Sequence, residues 1–110
     1  MNIKITYVVK PENTLSGIAH EYKMTLEQLL NIPGNERYKA HPDLIYPGNV
    51  VYLSTDGVAY SVVLGDTLTK IAQRYNMTLR QLLDIAENQQ FINNPDLIHP
   101  GDKVYVFKIS

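Results

Sequence analysis

TLSGIAHEYKMTLEQLL, residues 14–30, and TLTKIAQRYNMTLRQLL, residues 67–83, are one stretch written twice. The offset of 53 positions persists beyond them: residues 7–52 fall on 60–105 without a gap, and 23 of those 46 positions are identical. Amphipathic patterning alone does not produce such agreement, so the chain is a tandem duplication. Inside the quoted stretch Leu15, Ile18, Ala19 and Tyr22 fall at i, i+3, i+4 and i+7, the apolar stripe of a short helix, and Leu68, Ile71, Ala72 and Tyr75 repeat it. Thr14 and Thr67 stand where a helix cap belongs. Thr25 with Gln28, and Thr78 with Gln81, have the spacing of a reciprocal capping box that opens a second helix. Leu26, Leu29 and Leu30 supply its buried face.

Outward from the helices, each copy is bounded by β-prone segments. Tyr7-Val8-Val9 and Tyr60-Ser61-Val62-Val63 open the copies as strands, the first extended backwards through Ile3 and Ile5. Val50 to Leu53 and Val104 to Phe107 close them. Before each closing strand stands Pro-Asp-Leu-Ile-x-Pro-Gly, at residues 42–48 and 95–101. Its Pro-Gly pair suits a turn with proline second and a positive-φ glycine third. The expected fold is α+β: two consecutive βααβ modules, each an antiparallel pair of strands with two helices packed on one face. Module 1 spans residues 1–54 and module 2 residues 60–110. The connector, residues 55–59, has turn chemistry at Asp56-Gly57.

Composition excludes several function classes. Ten basic residues balance eleven acidic ones, and the balance holds in each copy, so no basic face for nucleic acid or anionic lipid is expected. Cysteine is absent, which removes disulfide frameworks, thiolate metal sites and cysteine nucleophiles. No apolar run approaches the length that spans a bilayer, and residues 1–10 alternate apolar and polar rather than forming a signal peptide. The three histidines are scattered without metal-ligand spacing, so neither metal nor cofactor is expected. Glycoside hydrolysis needs two carboxylates across a substantial cleft. Glu12 with Asp43 and Asp66 with Asp96 are the only pairs the fold could bring near each other, and the two pairs do not correspond between copies; no catalytic residue is assigned.

The pattern Y.V..GDTL..IA..Y..T...LL followed by NPDLI.PG..V.V, intact in the second copy and nearly so in the first, resembles the lysin motif, LysM. The resemblance implies binding of N-acetylglucosamine-containing polymers, peptidoglycan or chitin, in a shallow groove between two loops. It places the second groove at Gly65, Asp66, Thr67 and Leu68 with Pro95, Asp96, Leu97, Ile98 and His99. The first falls at Asn13, Thr14 and Leu15, beside Glu12, with Pro42, Asp43, Leu44, Ile45 and Tyr46. An N-acetyl sugar presents an apolar face beside an amide that needs hydrogen bonds, and backbone polar groups over leucine and isoleucine offer both. Tyr46 and His99 are candidates to cover a sugar ring. Two weak sites on one polymer would gain by avidity.

The same residues have structural uses. Half of the loop leucines and isoleucines are expected to turn inward, because so small a module has little else to bury. Asp43 and Asp96 are turn formers first, Tyr22 and Tyr75 are structural residues of the helical stripes, and Tyr38 and Phe91 are expected to cover the core rather than extend the groove. Two features depart from the family pattern. Glu12-Asn13 replaces Gly-Asp, and since Glu12 reaches a positive φ only at a cost, the first groove is expected to be reshaped. The segments Asn31 to His41 and Asp84 to Asn94 are long: either the second helix continues to about Gly34 and Asn88, or the groove wall is enlarged.

Two functions stand. One is a non-catalytic glycan-binding anchor for itself or for a fused or associated cell-wall enzyme. The other is a structural adaptor of the same fold, as in a phage-tail or injection-machine baseplate. A longer exported parent would place the modules at the cell wall; a chain complete as written would stay cytoplasmic or travel with a phage.

Overall fold

A computed structural model describes residues 2–109; Met1 and Ser110, the outermost residues of the two expected modules, lie outside the described residues. The elements follow the duplication. β1 (Ile3–Val8), α1 (Leu15–Glu21), α2 (Leu26–Leu30) and the first part of β2 (Val50–Ser61) form the first βααβ unit. The rest of β2, α3 (Leu68–Arg74), α4 (Leu79–Asp84) and β3 (Lys103–Val106) form the second. The helices start where the threonines predict. Thr14 and Thr67 accept from the Gly17 and Lys70 amides, and Thr25 and Thr78 each complete a capping box with Gln28 and Gln81. Such caps contribute about 1 kcal/mol apiece, which matters for helices too short to persist alone. After α1 and α3 the chain reverses through paired bonds, Met24 to Ala19 with Lys23 to His20, and Met77 to Ala72 with Asn76 to Gln73. Lys23 and Asn76 each hold φ 60° there, the left-handed closure of a helix end.

The connector departs from expectation. Residues 55–59 make no turn between separate modules; they run inside β2, the central strand of one three-stranded antiparallel sheet in the order β1-β2-β3. β1 pairs along β2 from Val50 to Gly57, and β3 pairs with Val58 to Ser61. The register slips between Ile3 and Ile5, which face Gly57 and Ser54. A Cβ on the buried Gly57 would collide with the Ile5 side chain, so this glycine serves close packing at a bulge.

The long segments after α2 and α4 also resolve. Neither helix gains a turn: α2 ends at Leu30 and α4 at Asp84, and 3₁₀ turns follow at Glu36–Tyr38 and Ala86–Phe91. Their purpose lies in Asn35 and Asn88, both buried. Asn35 Nδ2 donates to the carbonyls of Leu29 (2.7 Å) and Tyr52 (2.8 Å), and its Oδ1 accepts from the Tyr52 amide (2.8 Å). Asn88 does the same with Leu82, Tyr105 and the Tyr105 amide. A side-chain amide thus pairs with a strand residue as a neighbouring strand would, and ties it to the end of the second helix. Tyr38 and Phe91 are buried in the core, and the Tyr38 hydroxyl donates to Val50 O at 2.6 Å.

The modules also dock. The Tyr22 hydroxyl, buried and so held far above its ordinary pKa, donates to Gln81 O at 2.9 Å. Gln81 Nε2 donates to Glu21 O, and the Tyr22 ring packs at 5.9 Å from Phe107. Glu87 accepts from the Thr6 amide (2.9 Å) and hydroxyl (2.6 Å), capping the outer edge of β1. Lys10 meets Asp84 at 3.2 Å.

Candidate functional site

In each module the loop before the first helix and the segment before the closing strand meet and wall a cavity. In module 2 Asp66, Thr67, Leu68 and Thr69 face Pro95, Asp96 and Ile98, with Leu79 contributed by α4, around about 200 Å³. In module 1 Asn13, Thr14, Leu15 and Ser16 face Pro42, Asp43 and Ile45, with Leu26 from α2, around about 180 Å³. Every lining residue of the first has its counterpart 53 positions on in the second. Ser16, Thr69, Leu26 and Leu79 are additions to the residues expected from sequence. The signal was there: the leucines are identical between copies and both small hydroxyls follow a cap by two positions.

The far wall is built by turn chemistry. Tyr46-Pro47-Gly48-Asn49 closes with a bond from the Asn49 amide to Tyr46 O at 3.0 Å, with Gly48 at φ 94°. Asn49 Oδ1 accepts the Tyr46 amide in return. His99-Pro100-Gly101-Asp102 repeats this, with Gly101 at φ 95° and the His99 amide on Asp102 Oδ2. Val9 O and Val62 O then receive the glycine amides at 2.8 Å, locking each turn to the opening strand. Leu44 and Leu97 turn out to solvent while Ile45 and Ile98 pack against the core, so half of these apolar residues turn inward. Tyr46 and His99 are exposed and stand outside the lining of the two cavities, as do Gly65, Leu44 and Leu97. Among the described residues the amides of Ile45 and Ile98 meet no internal acceptor, whereas those of Leu44 and Leu97 are used within their turns.

The near wall shows what Asp66 and Asn13 do. Asp66 Oδ2 accepts from the Val63 amide (2.9 Å) and the Tyr60 hydroxyl (2.8 Å), and Arg74 reaches its other oxygen at 3.3 Å. The hydrogen bonds from Val63 and Tyr60, with Arg74 beside them, hold the carboxyl below the usual aspartate range. Asn13 Oδ1 accepts the equivalent bonds from the Lys10 amide (2.7 Å) and the Tyr7 hydroxyl (3.1 Å). Both side chains brace the loop from within. The expected reshaping of the first groove does not occur: Glu12 accepts φ 71° where Gly65 has 92°, and the loop keeps the same bonds. Tertiary bracing outweighs a local strain of roughly 1 kcal/mol.

Among the described residues no cluster of histidine, aspartate and glutamate could hold a metal ion, and no helix is long and apolar enough to cross a membrane.

The geometry agrees with what sequence comparison finds. The chain is 30% identical over 117 residues to the N-acetylmuramoyl-L-alanine amidase sle1 of Staphylococcus saprophyticus, covering 92% of this chain and 33% of that protein. It is 34% identical over 103 residues to an endolysin of Bacillus phage B103, covering 90% of this chain and 37% of the endolysin. Against the secreted LysM effector ECP6 of Passalora fulva it is 32% identical over 126 residues, covering 93% of this chain and 52% of the effector. The chain thus spans a third to a half of the length of these relatives. The LysM domain pattern matches twice, over residues 7–54 and 60–107, and the chain belongs to the LysM family as a tandem LysM domain protein.

Proposed function

We propose that the protein is a non-catalytic binder of N-acetylglucosamine-containing glycans, each module seating one short stretch of sugar in its groove. The observation that carries this reading is that two segments distant in sequence converge in both modules on the same small cavity. That cavity is lined by leucine, isoleucine and small hydroxyl residues, and the backbone amide of the lining isoleucine meets no internal acceptor among the described residues. These are the groups an acetamido sugar needs. A single carboxylate, Asp43 or Asp96, remains at each groove once Asp66 is consumed internally, and glycoside hydrolysis works with a pair. Relatives that include an N-acetylmuramoyl-L-alanine amidase and an endolysin support a role at the bacterial cell wall. There the modules anchor or target an enzyme to which they are joined or bound. Ser16 and Thr69 are exposed, so Ser16→Arg and Thr69→Arg fill the grooves without disturbing the core. Co-sedimentation with insoluble peptidoglycan is expected to weaken with either substitution and vanish with both. Full retention by the double variant contradicts the proposal.

A further inference from the structure

A third cavity, of about 280 Å³, opens where the two modules dock, and it is larger than either groove. Asn13 and Thr14 line it, and the same two residues wall the groove of module 1. The cavity thus adjoins that groove at these two residues. The remaining lining is rich in charge of both signs: Lys10, Glu12 and Glu21 from module 1, Arg80 and Asp84 from module 2, beside Tyr7. Lys10 holds one oxygen of Asp84 at 3.2 Å. Arg80 touches the other only through Nε at 3.8 Å, with 84% of its side chain exposed, so most of its donors are open to a ligand. Glu12 and Glu21 have no ion-pair partner among the described residues. None of these five charges is duplicated in kind: the positions 53 residues away hold Val63, Gly65, Arg74, Glu27 and Asn31. Module 2 therefore does not repeat this set of charges beside its groove.

We infer that this cavity is a subsite for a zwitterionic peptide borne by the glycan in the groove of module 1. The peptide's carboxylate meets Arg80, and its ammonium meets Glu12 and Glu21. The inference rests on the glycan reading of the groove and narrows it. A chitin-type polymer carries no charged substituent and gains nothing at the junction. A peptidoglycan-type polymer, whose amino sugars bear short peptides with both charges, engages groove and annex together. Each contact is solvent-exposed, so each contributes a factor of about three, and the two together give roughly tenfold.

The test is a calorimetric titration of the full chain with two ligands: a peptide-free N-acetylglucosamine oligomer and a peptidoglycan fragment of equal sugar count that retains its peptide. The expected result is a preference of about tenfold for the peptide-bearing ligand. Arg80→Ala and Glu21→Ala should each remove about threefold of it and leave the peptide-free affinity unchanged. Equal affinity for the two ligands, or a preference that survives the double substitution, overturns the subsite while leaving the groove intact. Absence of binding by both ligands overturns the groove reading and the subsite with it.

Discussion

The two modules differ at half of their aligned positions, and the differences sort by place. Where the grooves are walled the copies agree or replace like with like: Thr14 and Thr67, Leu15 and Leu68, Ser16 and Thr69, Pro42-Asp43 and Pro95-Asp96, Ile45 and Ile98. Where the modules touch each other several positions diverge. Glu87 binds β1 from a position that is Gly34 in the first copy; Asp84 is matched by Asn31, Lys10 by Val63 and Phe107 by Ser54. Duplication supplied two equal grooves, and the private residues turned a pair of domains into one docked body. Tyr22 and Tyr75 make the point with identical residues, since the first is buried under Phe107 and bonded to Gln81 whereas the second is only partly buried.

Substitutions at shared and at private residues should differ in their effects. The largest effect is expected at what both modules share. Asn35→Ala or Asn88→Ala leaves three backbone groups without their partner, and either should lower the unfolding free energy by about 3 kcal/mol or more in urea denaturation. Next come the private contacts: Glu87→Ala removes two bonds to Thr6 and should cost about 2 kcal/mol, Tyr22→Phe about 1 kcal/mol. Because the modules share β2 and this interface, the intact chain should unfold in one transition by every probe, and separate transitions for the two halves would refute the docking. Glu12→Gly gives module 1 the residue that module 2 has at its positive φ, and should stabilise by about 1 kcal/mol.

The smallest effect is one of pH. Asp66 has a lowered folded pKa, so its contribution is present above the ordinary aspartate range and fades as pH falls through the folded value. Asp66→Asn, which gives module 2 the amide that module 1 has at Asn13, should flatten the acid limb of thermal unfolding of the intact chain. An acid limb unaltered by the substitution would show that Asp66 contributes nothing there.

Much of this was legible in the sequence because it is local. Thr14, Thr25, Thr67 and Thr78 announce their helices through bonds made within three residues, and Pro47-Gly48 and Pro100-Gly101 announce turns whose glycine φ the chain then adopts. The repeat made the architecture readable as a whole. What stayed hidden depends on tertiary partners. Asp56-Gly57 has turn chemistry in isolation, but pairing with β1 and the close approach of Ile5 draw it into a strand. Asn35 and Asn88 were visible as identities, yet their use as surrogate strand partners is a non-local fact. Docking was invisible for the same reason: Lys10, Asp84, Glu87 and Phe107 are private to one copy, and Tyr22 and Gln81, although repeated in kind, meet across the junction in only one of the two possible pairings.

Module 1 carries the same groove as module 2 despite Glu12-Asn13. An NMR titration of the full chain with a peptide-free N-acetylglucosamine oligomer is the decisive test of that equivalence. The amides of Leu15, Ser16 and Ile45 should shift together with those of Leu68, Thr69 and Ile98, with affinities of the same order. Shifts confined to the second set, or to neither, would contradict it.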